Sequence, residues 1–90
     1  MNWRARIHVL LKPVVNDPQG QAIRGGLRSL GFDGVSQVRA GKYFEIVLDA
    51  ADDDAARRNV DEMCRKLLAN PVIEDYRFDL EAQPALLDAV

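Results

Sequence analysis

Four side chains able to bind or move protons stand in a row at residues 74–77: Glu74, Asp75, Tyr76 and Arg77, behind Asn70-Pro71 in the stretch LLANPVIEDYRF. Two carboxylates beside a phenol and a guanidinium are the materials of general acid–base work. The same stretch alternates, however, with Tyr76, Phe78 and Leu80 on one side and Asp75, Arg77 and Asp79 on the other, which is the period of a strand. On a strand Glu74 and Tyr76 share one face while Asp75 and Arg77 share the opposite one. Adjacent carboxylates so separated cannot act as a pair on one substrate. The competing use of these charges is cross-strand pairing, worth about 0.2–1 kcal/mol per pair.

The remaining reactive residues are weaker candidates. His8 is the only histidine and stands on the polar side of an alternating run, with no serine elbow elsewhere to serve. Cys64 lies on the apolar stripe of a helical segment, where cysteine behaves as a small hydrophobe. Asp52, Asp53 and Asp54 lack the spacing and glycine of a calcium loop and suit the positive end of a helix. The tripeptide Gly41-Lys42-Tyr43 has the glycine and lysine of a phosphate loop without the rest of its spacing.

The elements that must carry these residues follow from periodicity. Residues 4–12 alternate, with Ala5, Ile7, Val9 and Leu11 on one face and Arg6, His8 and Lys12 on the other, giving a first strand ended by Pro13. Asp17 caps a helix with Pro18 at its first position. Ile23, Leu27 and Leu30 form its stripe, and Gly31 closes it. Gly25-Gly26 costs that helix roughly 1 kcal/mol per glycine, which implies close packing there. Residues 35–49 predict one long strand or a hairpin broken at Ala40-Gly41-Lys42, with Gly41 supplying conformational freedom at the break. The next helix carries Ala56, Val60, Met63, Cys64, Leu67 and Leu68 on one face, and Asn70-Pro71 stops it. Residues 72–80 are the last strand. The order β-α-β-β-α-β predicts an α+β, ferredoxin-like domain: a four-stranded antiparallel sheet with two helices on one face. That domain occupies residues 1–80, and residues 81–90 form a C-terminal tail whose Leu86-Leu87 has somewhere to dock.

The totals bound the function. Ninety residues make one domain, burying about 60–65% of the surface the unfolded chain exposes, so a partner chain would help it. Twelve Lys and Arg against fourteen Asp and Glu give a net charge of -2, and no basic stripe invites nucleic acid. No apolar run reaches the roughly 18–20 residues of a membrane span. The N-terminus MNWRARIHVLL lacks a signal-peptide cleavage site, and a single cysteine suits the cytoplasm. From the residues alone two hypotheses stand. One is an assembly or regulatory module that works through its sheet. The other is a small enzyme whose site forms only between subunits.

The strand followed by DPQG at 17–20, LRSLGF at 27–32, VSQVRAGKYFEI at 35–46 and MCRKLLANPVIEDYRF at 63–78 together make the sequence resemble the PurS family. This is the small S subunit of phosphoribosylformylglycinamidine (FGAM) synthase, a ligase of purine biosynthesis. The resemblance spans about residues 4–80. It implies a non-catalytic subunit, homodimeric or tetrameric, that bridges a glutaminase subunit and a large synthetase subunit. Ammonia from glutamine then converts formylglycinamide ribonucleotide to formylglycinamidine ribonucleotide. ATP and Mg belong to the large subunit, and the resemblance implies no cofactor, metal or catalytic residue on this chain. The expected interface residues are Arg39, Gly41, Lys42, Tyr43, Glu74, Asp75 and Arg77. The alternative is a small amino-acid-binding regulatory module of the same fold class.

Overall fold

The computed structural model describes residues 1–83. Its elements are β1 (Asn2–Leu11), α1 (Pro18–Ser29), β2 (Gly41–Asp49), α2 (Asp53–Met63), a π-helical turn (Cys64–Leu68) and β3 (Glu74–Gln83). The sheet is antiparallel and three-stranded in the order β2-β1-β3. β1 is central because its alternation places Trp3, Ala5, Ile7 and Val9 in one buried row. Val60 and Cys64 of the second helical segment close over that row. Phe44 and Ile46 of β2, and Tyr76 and Phe78 of β3, flank it. A smaller cluster of Trp3, Ala50 and Ala56 extends the core, with the Trp3 indole N–H donating to the Ala50 carbonyl at 3.4 Å.

The expected fourth strand is absent. Residues 35–40 run without a ladder, although VSQVR has strand-like composition. The outer edge of β2, where a hairpin would have placed this segment, is unpaired among the described residues, and the end of the segment is held toward α1 and β1 instead. Two bonds involving side chains hold its end. The Ala40 N–H donates to the Asp17 carboxylate at 3.0 Å, and the Arg39 guanidinium donates to the Leu11 carbonyl.

Asp17 caps α1 as its sequence position implies, accepting from the Gly20 N–H at 2.9 Å, and Gly31 closes the helix at φ 99°. The expectation of close packing at Gly25-Gly26 fails: a Cβ at either position would meet nothing within 4 Å. The expectation of two helices on one face is also corrected. α2 covers the sheet, whereas α1 has no extensive contact with any strand and leaves Leu30 75% exposed. Gly41 opens β2, but without a positive φ. It is needed because a side chain there would run into the Val9 carbonyl and Leu10 of β1.

α2 begins at Asp52, whose carboxylate accepts from the Ala55 N–H at 2.8 Å, and Asp53 and Asp54 lie in its first turn. Its stripe is expected to bury Leu67, yet that residue is 83% exposed. The cause is the π-turn: the Ala69 N–H bonds to the Cys64 carbonyl, one residue further back than in an α-helix, and the wider turn rotates Leu67 outward. The helix is tied to β3 by the Tyr76 hydroxyl, which donates to Asp61 at 2.5 Å. That bond, reinforced by burial, pushes the Tyr76 phenol up to about 12. β3 continues through Gln83, past the expected end at Leu80. Leu86 and Leu87 lie outside the described residues.

Two outcomes follow. Gly25→Ala should raise the unfolding free energy by about 0.5–1 kcal/mol, since alanine removes the backbone-entropy penalty and meets no neighbour. Urea titration measures it, and a loss of stability instead would mean that another chain packs on the glycine face. The raised Tyr76 pKa favours the protonated phenol in the folded state, so its contribution is intact below 10 and is lost as pH climbs toward about 12. Tyr76→Phe should cost about 1 kcal/mol at neutral pH and flatten that alkaline loss.

Candidate functional site

The register collects the sequence-expected residues at one end of the sheet, where β1 finishes and β2 and β3 begin. Gly41 pairs with Leu10, and Leu10 in turn with Asp75; Lys42, Val9 and Tyr76 form the next row; Tyr43, His8 and Arg77 the next. Glu74 stands opposite Leu11. Alternation then divides the six of these residues that lie in strands between two faces, as the strand reading of 74–77 requires, while Arg39 precedes β2.

On the helix-covered face, Lys42 and Glu74 meet across the gap that β1 spans. The Lys42 ammonium lies 3.4 Å from the Glu74 carboxylate and donates to the Leu68 carbonyl at 3.3 Å. The other Glu74 oxygen accepts from the Asn70 N–H at 2.7 Å. Asn70 is the hub of this turn: its side chain accepts from the Val72 N–H, and its carbonyl from the Ile73 and Glu74 N–H groups. Glu74 and Lys42 therefore hold the end of the second helical segment to the starts of β2 and β3. Asn70-Pro71 sets the turn chemistry that makes this possible.

On the open face, the His8 and Tyr43 rings stack at a tilt, 4.9 Å between centroids. The Tyr43 hydroxyl donates to Glu45 at 3.0 Å, and burial together with that carboxylate raises its pKa. Asp75 is bound to Lys12 at 2.8 Å. Arg77 is exposed and has no ion pair among the described residues. Further along this face Arg6 lies within 4.0 Å of Glu45, Asp79 and Glu81, the cross-strand charge pairing that the sequence predicts. Val14, Val72 and Leu67 are exposed around the same end of the sheet, and the Lys12 N–H donates to the Ile73 carbonyl to hold two of these loops together.

The chemistry this end can perform is recognition. Glu74 and Asp75 point to opposite faces and each is bound to a lysine, so neither is poised as an acid or base. Burial pushes the Cys64 thiol up, which keeps it protonated and a poor nucleophile. Among the described residues no group of His, Cys, Asp and Glu side chains gathers where a metal ion could be held, and no helix is long and apolar enough to cross a membrane. Sequence reasoning missed the second role of Asp17. It is legible there only as a helix cap, yet its other oxygen anchors Ala40, so one carboxylate positions both α1 and the entry to β2. Those two amide bonds hold its carboxyl below the usual carboxylate range, with Arg39 adding to the effect and burial opposing it.

The profile of one family, described as PurS: phosphoribosylformylglycinamidine (FGAM) synthase, matches residues 4–82. The phosphoribosylformylglycinamidine synthase subunit PurS of Synechocystis is 52% identical over 81 residues, covering 90% of this chain and 81% of that protein. The crystal form of Bacillus subtilis PurS superposes with a TM-score of 0.81 at 45% identity, covering 89% of this chain and 99% of that one. A chain in the structure of PurLQS from Thermotoga maritima superposes with a TM-score of 0.83 at 30% identity, covering 90% of this chain and 99% of that one. By profile, identity and three-dimensional likeness over nearly its whole described length, the chain belongs to the PurS family of FGAM synthase subunits.

Proposed function

We propose that this chain is the small, non-catalytic subunit of a phosphoribosylformylglycinamidine synthase of purine biosynthesis. It bridges the glutaminase subunit and the large synthetase subunit, so that ammonia released from glutamine reaches formylglycinamide ribonucleotide. The likeness to a chain of Thermotoga maritima PurLQS over 99% of that chain carries this reading. ATP and Mg are handled by the large subunit, the complex works in the cytoplasm, and the chain acts as a homodimer or tetramer. Family membership displaces the alternative of a free amino-acid-binding module.

The end of the sheet is the bridging surface we favour, formed by Arg39, Gly41, Lys42, Tyr43, Glu74, Asp75 and Arg77. Exposed Val14, Leu67 and Val72 beside unpaired Arg77 and half-exposed Tyr43 give the mixture of apolar, aromatic and arginine side chains typical of protein interfaces. The roles within it differ. Lys42 and Glu74 are held by each other and by backbone groups, so they fix the shape of the surface. Arg77 and Tyr43 face outward and would make contacts.

Purified alone with the ribonucleotide, ATP and glutamine, the chain should show no turnover, and adding the glutaminase and synthetase subunits should restore it. Turnover by the chain alone would overturn the reading. Arg77→Glu should weaken co-purification with those subunits by about tenfold or more while leaving the circular dichroism and melting temperature unchanged, because Arg77 has no ion pair among the described residues to break. An unaltered complex would remove this end of the sheet as the bridging surface.

A further inference from the structure

A cleft of about 520 Å³ opens between the loop after β1, the first turns of α1 and the irregular segment 35–40. Its volume falls within the roughly 300–1,000 Å³ of small-molecule sites. The charge of its lining is opposite to that of the chain. Lys12, Arg24 and Arg39 line it against one carboxylate, Asp17, in a protein whose net charge is -2. Both Asp17 oxygens are already engaged by backbone N–H groups, Gly20 on one and Ala40 on the other. Lys12 is neutralised by Asp75 from outside the cleft. Arg39 gives one nitrogen to the Leu11 carbonyl and meets no carboxylate closely enough to form an ion pair among the described residues.

Arg24 is the decisive residue. Its guanidinium makes no ion pair among the described residues, and its Nε is shielded from solvent with no hydrogen-bond partner, a state shared only by the Arg4 Nε among the described residues, which lies outside the cleft. An N–H shielded from water without an acceptor costs free energy even where the rest of its guanidinium, as in half-buried Arg24, reaches solvent. The acceptor such a site lacks is an oxyanion, which guanidinium groups bind through paired N–H donors. We infer that this cleft binds a small molecule through a phosphate or carboxylate group, with Arg24 and Arg39 as its anchors. The cleft shares Arg39 with the proposed bridging surface, but the free chain can bind without the other subunits, so its failure and that of the bridging role are told apart.

The test is amide chemical-shift titration of the free protein with inorganic phosphate in one arm and succinate in the other, against chloride at matched ionic strength. The expected result is saturable shifts confined to residues 12–17, 21–24 and 36–39 in at least one arm. Arg24→Gln should weaken that binding by about tenfold or more, and Arg24→Lys by less, because lysine keeps the charge and loses the fork. Linear shifts indistinguishable from chloride in both arms would overturn the proposal, as would saturation that survives Arg24→Gln. So would a third result: no small-anion binding, but weaker assembly of Arg24→Gln with the other subunits. The cleft would then receive an acidic side chain of a partner protein.

Discussion

β1 is hydrogen-bonded along both edges, and the rest of the chain arranges itself around that fact. An antiparallel neighbour on each side means that both β2 and β3 must begin where β1 ends. The segments that lead into them, residues 39–43 and 70–77, are thereby carried to the same end of the sheet from positions some thirty residues apart. The buried row of Trp3, Ala5, Ile7 and Val9 fixes the register, because a slip of one residue would turn the whole row to the open face. Burial of apolar side chains on β1 is thus what places Lys42 over Glu74 and Tyr43 beside His8.

Around this end, a few polar side chains replace the backbone ladder that a fourth strand would have supplied. Asp17 holds Gly20 and Ala40 together, Glu74 holds Asn70, and Lys42 reaches the Leu68 carbonyl. Each bond is modest, about 1 kcal/mol net. Together they close three loops onto one another without regular structure. Gly20 and Gly41 allow it sterically, since a side chain on either would run into a backbone carbonyl, of Val38 and Val9 respectively. The surface so formed is shaped by side chains and bare glycines, which explains how it can be rigid although it is built of loops.

Much of this was legible in the sequence. The alternation of residues 4–12 and 74–80 marks two strands and their faces, which by itself separates Glu74 from Asp75. Asp17-Pro18 and the three acids at 52–54 marked both helix starts. What escaped were features with no local signal. Residues 35–40 have strand composition, yet long-range bonds from Ala40 to Asp17 and from Arg39 to Leu11 hold their end away from the free edge of β2. The π-turn that exposes Leu67 depends on one shifted hydrogen bond inside a run that reads as ordinary helix. Arg24 and Arg39 converge on one cleft only because the loop after β1 folds back toward residues 35–40; in the sequence they are two scattered charges in an acidic chain.

The distribution of paired and unpaired charges separates what the chain does for itself from what it offers to others. On the open face Arg6 is surrounded by Glu45, Asp79 and Glu81, and Lys12 is bound to Asp75. Exposed pairs of this kind are worth at most about 1 kcal/mol each, so their main effect is to cancel charge along the middle of the sheet. At the β1 end the cancellation is incomplete. Arg24, Arg39 and Arg77 have no carboxylate partner among the described residues, while the carboxylates near them are held by Gly20, Ala40, Asn70, Lys12 and Lys42. An acidic protein thus presents guanidinium groups at one end, beside exposed Val14, Val72 and Leu67. Arginine keeps its charge at every physiological pH and carries less bound water than lysine, so it loses less on contact with a partner. A chain that made its own active site would draw such groups inward around a reacting centre. Here Arg77 is turned outward and Arg24 and Arg39 line an open cleft, on a frame of satisfied hydrogen bonds, the arrangement expected of a subunit that acts by holding other molecules in place.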